Sequence, residues 1–339
     1  MNNEVLARDL RKFVCEFVFR KELDGKTILI TGGTGLIGSI IIRALSSLQD
    51  TAGVNVSIIA TARSPQKVLD MEFPHGIDWV YQSMEQPLQL RARADYVIHT
   101  ACPTQSAFLV NHPVEVINSS VTAARNVFEY AKEHGSTVVY LSSIEIYGQL
   151  FGMASVDETA YGTVDHMNVR SCYPESKKLI ECLAVSYAKE YGTDIRIARL
   201  TQTFGAGIDR TDNRVFAQFA RSVIASEDIV LHTAGQSAKS YIYTMDAIHA
   251  LFYILIKGKK GEAYNVANEE TFISVYDLAQ FVVHHFNPNI QVRIEKRDMG
   301  YAPDTKVNLD TSKLKALGWS CQYGMYQMLD NLIQSLRGQ

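Results

Sequence analysis

Tyr173 and Lys177 stand four apart in Tyr173-Pro174-Glu175-Ser176-Lys177. On a helix that spacing puts both side chains on one face. A free phenol titrates near pH ~10 and is a poor base at neutral pH. A nearby ammonium and a positive nicotinamide ring would favour its phenolate, and the lysine also suits the nicotinamide ribose. Upstream, Tyr140-Leu141-Ser142-Ser143-Ile144-Glu145 closes an apolar run. If the segment stays extended, Ser143 and Glu145 project to the same side. Ser143 is then placed to bond a reacting hydroxyl beside Tyr173, and Glu145 to reach an adjacent carbon as a base. The plainer readings are a strand-end capping hydroxyl and a surface carboxylate.

A second constellation is Gly32-Gly33-Thr34-Gly35-Leu36-Ile37-Gly38. It follows an expected strand at 27–31 and opens an expected helix at 39–48. Glycines there permit a tight turn and let backbone approach a pyrophosphate, which the helix N-terminus favours. Gly32, Gly35, Leu36, Ile37 and Gly38 are therefore expected cofactor contacts, as part of a dinucleotide fingerprint. The end of the next strand normally carries an acid for the ribose of NAD. This chain has Ala60-Thr61-Ala62-Arg63-Ser64 instead. Arg63 fits a 2′-phosphate, which leans towards NADP, and equally a solvated or adenine-stacked guanidinium.

The elements that must position these groups alternate. Strands are expected at 27–31, 54–60, 79–82, 96–100, 137–142 and 195–200. Helices are expected at 39–48, 123–134 and 175–190. This rhythm predicts an α/β fold, a Rossmann-like doubly wound parallel sheet covered on both faces. Past residue 200, segments at 213–225, 229–232 and 274–286 predict a smaller mixed α/β lobe. The division is 1–25 as an N-terminal helical extension, 26–200 as the dinucleotide-binding domain and 201–339 as the substrate lobe, with some chain exchange between lobes. The extension has helical apolar spacing at Val5, Leu6, Leu10, Phe13, Val14 and Phe17, a packing helix.

Composition narrows the partners. The 339 residues carry a net charge of −3, which argues against nucleic acid. Five cysteines without a CxxC pair argue against a disulfide framework or metal site and fit a reducing, cytoplasmic setting. The charged start reads as neither signal peptide nor membrane span.

Together the glycine turn, Ser143 and the Tyr173/Lys177 pair resemble the extended short-chain dehydrogenase/reductases, the NAD-dependent epimerase/dehydratase family of nucleotide-sugar enzymes. The resemblance runs from about Lys26 to Trp319. Several blocks are most similar to UDP-glucuronate decarboxylases. His99-Thr100-Ala101-Cys102-Pro103-Thr104 resembles their HLASPAS, and Arg170-Ser171-Cys172-Tyr173 their RSCY. Asp212-Asn213-Arg214-Val215 resembles DGRV, and Tyr264-Asn265-Val266-Ala267-Asn268 resembles YNLGN. The resemblance implies tightly bound NAD, a nucleotide-sugar substrate and a homodimer built through helices that include the Tyr/Lys helix. It implies oxidation at sugar C4 to a 4-keto intermediate, with Ser143, Glu145, Tyr173 and Lys177 as catalytic residues. It adds Ala101 to the cofactor contacts. Thr104, Gln202, Arg214, Lys239 and Tyr241 are its candidate substrate contacts, with Tyr147 and Tyr241 also read as packing residues lining the cleft.

The chain departs from the decarboxylase pattern at three places. Their basic RRKPD-like stretch is Met299-Gly300-Tyr301-Ala302-Pro303-Asp304 here, their arginine is Lys239, and their strand-end acid is Arg63. Alternatives within the family are a 4-epimerase, a 4,6-dehydratase and a 4-ketoreductase. Dehydratases carry an aspartate after the serine or threonine, where this chain has Ile144; simple 4-epimerases usually lack Glu145. A non-catalytic cofactor-sensing protein is the alternative outside enzymes, and such proteins commonly lack the Tyr/Lys pair. His99 reads as a satisfied core histidine, and Cys102 and Cys172 as inert thiols.

Overall fold

The computed structural model describes residues 3–150, 155–297 and 304–338. In chain order its strands are β1 (Lys26–Thr31), β2 (Val56–Ala62), β3 (Ile77–Tyr81), β4 (Tyr96–His99), β5 (Thr137–Ser143), β6 (Ile195–Leu200), β7 (Gln202–Phe204), β8 (Ile229–Leu231), β9 (Ala238–Tyr243), β10 (Ala263–Val266), β11 (Asn268–Ser274), β12 (Val292–Ile294) and β13 (Lys306–Val307). Its helices are α1 (Glu4–Glu16), α2 (Arg20–Leu23), α3 (Leu36–Ala52), α4 (Pro65–Asp70), α5 (Ser106–Asn111), α6 (Pro113–His134), α7 (Cys172–Glu190), α8 (Val215–Ala225), α9 (Thr244–Lys257), α10 (Val275–Phe286), α11 (Ser312–Lys315) and α12 (Met325–Arg337).

The main sheet runs β10-β6-β5-β4-β1-β2-β3 with every neighbour parallel. Such a sheet is buried on both faces, so its strands read as near-continuous apolar runs. Ile28 and Ile30 pack into one core with residues of α3 and α9; Leu29 packs into the other with residues of α6 and α7. This is the doubly wound Rossmann-like arrangement. The seventh strand, β10, returns from far along the chain and pairs with β6. In the smaller lobe β9 pairs antiparallel with β11 and parallel with β7 and β13. A separate pair, β8 and β12, is parallel.

Several element bounds differ from the sequence expectation. The second strand spans Val56–Ala62, two residues later than expected. Helix α3 starts at Leu36, because Gly35 already occupies its N-cap. Helix α6 starts at Pro113, where a first-turn proline loses no helical hydrogen bond. The N-terminal helix forms as expected, burying Val5, Leu6, Phe13 and Val14.

Two buried charge sites lock the layers. Glu181 of α7 and Arg199 of β6 pair at 2.7 Å, with side chains only 10% and 11% exposed. On α9, the Asp246 carboxylate accepts backbone N–H bonds from Gln322 and Tyr323 at 3.0–3.1 Å. Burial outweighs these bonds and lifts its pKa to about 7.

Removing one member of a buried ion pair strands the other charge. Glu181→Ala and Arg199→Ala should each lower stability by about 3–5 kcal/mol, with a double variant well short of the sum. Urea unfolding checks this. For Asp246 the folded state binds the proton more tightly than the unfolded chain. Its contribution is thus largest in acid and is lost as pH rises through about 7. The stability of wild type relative to Asp246→Asn should fall between about pH 4 and pH 7.

Candidate active site

The glycine turn sits between β1 and α3, facing the end of β4. Gly32 has φ of +69°, and a Cβ there would lie 2.9 Å from the Ala101 Cα. On Gly38 a Cβ would lie 2.5 Å from the Gly32 carbonyl oxygen. Neither position tolerates a side chain. Gly32 donates to the Thr61 hydroxyl at 3.1 Å and Gly33 to the Thr61 carbonyl at 2.9 Å. No side chain caps the N-terminus of α3. A bare helix start behind glycines fits a dinucleotide pyrophosphate. The Ala101 N–H reaches the Thr31 hydroxyl at 3.3 Å, so Ala101 joins this turn. Arg63 is exposed just past β2.

Helix α7 carries the Tyr/Lys pair in its first two turns, with Pro174 in the first turn, where its missing N–H costs nothing. Tyr173 and Lys177 are both buried. Lys177 Nζ donates to the Leu141 carbonyl at 2.7 Å. It lies 5.6 Å from the Tyr173 ring centroid and 4.8 Å from that of Tyr140. The Ser143 side chain lies beside the Tyr173 phenol. Burial raises the Tyr173 pKa well above its ordinary value, helped by Cys102 and Glu145; the Ser143 hydroxyl and the Arg170 charge oppose this.

The stretch after β5 corrects one expectation. It is not extended: Ile144–Tyr147 forms a 3-10 turn. Ser143 caps it by accepting the Glu145 N–H at 3.2 Å. The hydroxyl therefore combines the capping role with a place beside Tyr173. Ile144 is buried against an apolar cluster that includes Val156 and Ala267. Glu145 pairs with Arg170, whose Nη2 lies 3.1–3.2 Å from both carboxylate oxygens. Arg170 Nη1 is buried without a hydrogen-bond partner.

Among the substrate candidates, Thr104 is exposed ahead of α5. Gln202 opens β7, opposite Tyr241 of β9. Arg214 caps α8, chelates Asp212 at 2.6–3.1 Å and reaches the Thr203 carbonyl at 3.4 Å. Lys239 is half-buried on β9. Tyr241 is 2% exposed with its ring 5.9 Å from that of Phe204, a core position rather than a cleft wall. Tyr147 is fully buried and donates to Asn265 at 2.7 Å. His99 is held by Thr31 at 2.7 Å, and burial, with the Lys177 charge, lowers its pKa to about 3. Burial raises the Cys172 thiol. Of the basic-stretch replacement, residues 299–303 lie outside the described residues.

Sequence reasoning missed the support beneath the pair. Ser142 donates to Glu181 at 2.5 Å, and Arg199 reaches the Glu181 carboxylate, the Tyr147 hydroxyl at 2.8 Å and the Glu158 carbonyl at 2.9 Å. Two signals were present. Glu181 repeats the four-residue spacing of Tyr173 and Lys177. Arg199 interrupts an apolar strand, and a charge there needs a partner.

A family model described as the NAD dependent epimerase/dehydratase family matches residues 28–267. UDP-glucuronic acid decarboxylase 3 of Arabidopsis thaliana is 28% identical over 292 residues, covering 86% of this chain and 83% of that protein. The UDP-glucose 4-epimerase structure of Thermotoga maritima, with UDP-glucose, matches with a TM-score of 0.78 at 20% identity, covering 92% of this chain and 99% of that one. The dTDP-glucose 4,6-dehydratase DesIV of Streptomyces venezuelae, with NAD bound, matches with a TM-score of 0.77 at 19% identity, covering 92% and 97%.

Tyr173→Phe removes only the phenolic oxygen. It should abolish turnover while nicotinamide dinucleotide still binds, as read by kinetics beside calorimetric titration. Unchanged turnover would remove Tyr173 from the chemistry.

Proposed function

This chain belongs to the NAD-dependent epimerase/dehydratase family, and we propose that it decarboxylates a UDP-glucuronate-like nucleotide sugar. The observation that carries this reading is the Glu145–Arg170 pair beside Tyr173, with one guanidinium nitrogen still unpaired. A buried unpaired donor calls for an oxygen, and a uronate is rich in them. The likeness to the Arabidopsis decarboxylase supports the same substrate class.

In this reading Tyr173 takes the proton of the sugar C4 hydroxyl, and Ser143 holds that hydroxyl in place. A bound nicotinamide dinucleotide supplies the hydride acceptor. Lys177, fixed on the Leu141 carbonyl, keeps a positive charge beside the phenol. With C4 as a ketone, the electron pair of the C5–carboxylate bond passes into the carbonyl and carbon dioxide leaves. Glu145, steered by Arg170, is the group that would deliver a proton to C5; return of the hydride to C4, with Tyr173 giving back its proton to the C4 oxygen, would then complete the UDP-pentose. Gln202, Lys239 and Arg214 face the nucleotide, Arg214 by trading part of its Asp212 pairing for phosphate.

Ile144 works against a 4,6-dehydratase, because its buried side chain leaves no acid for a departing hydroxyl. A second reading, a 4-ketoreductase or 4-epimerase, is favoured by Arg63, an exposed cation where an acid would mark NAD. For partners, we propose a homodimer through α6 and α7. Val114, Ile117, Leu179 and Val185 leave those helices between 42% and 62% exposed.

Incubation with UDP-glucuronate and NAD should give a UDP-pentose by mass spectrometry, with carbon dioxide released. Unchanged UDP-glucuronate with cofactor bound would overturn this reading. A requirement for added NADPH on another nucleotide sugar would establish the second.

A further inference from the structure

Helix α1 lies outside the 28–267 segment that matches the family model, yet it contributes a buried charge. Asp9 is 2% exposed. Its Oδ2 accepts the hydroxyl proton of Tyr243, the last residue of β9. The same Tyr243 oxygen receives the Ala206 N–H at 3.5 Å. The Tyr243 ring packs against Gly205, where a Cβ would come within 2.7 Å of the ring. The Tyr323 ring lies 4.3 Å from it, centroid to centroid, tilted by 32°.

A second tie holds the next residue. Gly207 donates to the Ser335 hydroxyl of α12 at 3.3 Å, and the same hydroxyl receives Asn3 Nδ2 at 2.7 Å. Asn3 is also the N-cap of α1. Gly207 has φ of +89°, and its Cα faces Ile40 of α3 and Leu6 of α1. So segment 205–207 is gripped by α1 from two directions. It leaves β7 just after Gln202 and leads to Asp212 and Arg214. Ile40 sits one turn into the helix that begins at the glycine turn. Helix α1 thereby touches both the helix of the cofactor turn and the loop of the candidate phosphate contact.

Resting on the nucleotide-sugar reading above, we propose that α1 is a built-in clamp of the substrate site. Asp9 acts through Tyr243 and Ala206 as a positioning residue for loop 205–214, which carries Arg214. Neither Asp9 nor Tyr243 touches substrate. Their work is to fix the path of the loop, so that Arg214 and Gln202 arrive pre-placed.

The test compares wild type with Asp9→Ala, Tyr243→Phe and the conservative Asp9→Asn, which keeps one acceptor oxygen. Amide hydrogen exchange of the ligand-free protein reads the clamp without any substrate. Loop 205–214 should exchange about tenfold faster in Asp9→Ala and Tyr243→Phe, with the main sheet unchanged and Asp9→Asn close to wild type. With UDP-glucuronate, KM should rise about tenfold while kcat and NAD affinity stay within about twofold. Unchanged exchange in the loop, or faster exchange spread evenly through the protein, overturns the clamp. So does a changed kcat at constant KM. If wild type neither binds nor converts UDP-glucuronate while the loop still loosens, the substrate reading has failed and the grip of α1 on the loop stands.

Discussion

The buried ion pair between Glu181 and Arg199 is the constraint on which the site depends. Its two side chains join three elements that would otherwise only touch. Ser142 at the end of β5 donates to Glu181, Glu181 belongs to α7, and Arg199 belongs to β6. Arg199 then continues to Tyr147, just after the 3-10 turn's Glu145, and to the Glu158 carbonyl. Burial alone works against the Arg199 charge, but the hydrogen bonds and charge of Glu181 reverse that and hold its pKa above the ordinary value. Geometry this restrictive has one consequence for chemistry. With Glu181 pinned, Lys177 and Tyr173, one and two turns earlier on the same helix face, are fixed in rotation about the α7 axis. The Leu141 carbonyl then meets Lys177 from β5.

The sheet order supplies the other half of the site. The chain leaves β1 for β2 on one side and returns to β4 on the other, so β1 and β4 flank a switch point. A crevice outside the carboxyl ends of the strands opens there in doubly wound sheets. The glycine turn follows β1 and Ala101 follows β4, one against the other. Ser143 ends β5, the next strand over, and pairs in register with Leu200, two residues before Gln202. The glycine turn, Ala101, Ser143 and the chain leading to Gln202 therefore follow the carboxyl ends of β1, β4, β5 and β6 in turn.

What could be read from the sequence was local. The glycine spacing and the Tyr/Lys spacing are set by a turn and a helix, and both formed where expected. Expectations failed where contact partners are distant or where a single hydroxyl chose between two conformations. Ser143 and Glu145 share a side only if the chain stays extended past the expected strand at 137–142. Instead the Ser143 oxygen accepts the Glu145 N–H, and Gly148, with φ of +58°, ends the turn. The Glu145–Arg170 pair spans 25 residues and Asp9–Tyr243 spans 234, so neither has a spacing to recognise. Tyr241 shows a different limit. Strand alternation assigns it a face, but not whether that face meets a cleft or the ring of Phe204.

The fold is shared by solved structures named as an epimerase and a dehydratase, so the fold does not choose among reactions. The choice falls to neighbours of Tyr173 that differ in what they can donate or accept. Ile144 offers neither and is spent on packing against Val156 and Ala267. Glu145 accepts, and Arg170 fixes its direction while keeping one N–H unspent. In the proposed reading, an oxygen-bearing group on the carbon beside C4 is what the unpaired Arg170 nitrogen would meet. A bare methyl or hydrogen there would leave the guanidinium donor buried and unpaired, at a cost of about 1–3 kcal/mol. An unpaired donor held next to a paired carboxylate is thus the feature on which the proposed selectivity rests, and the Glu181–Arg199 lock fixes the helix that carries Tyr173 beside it.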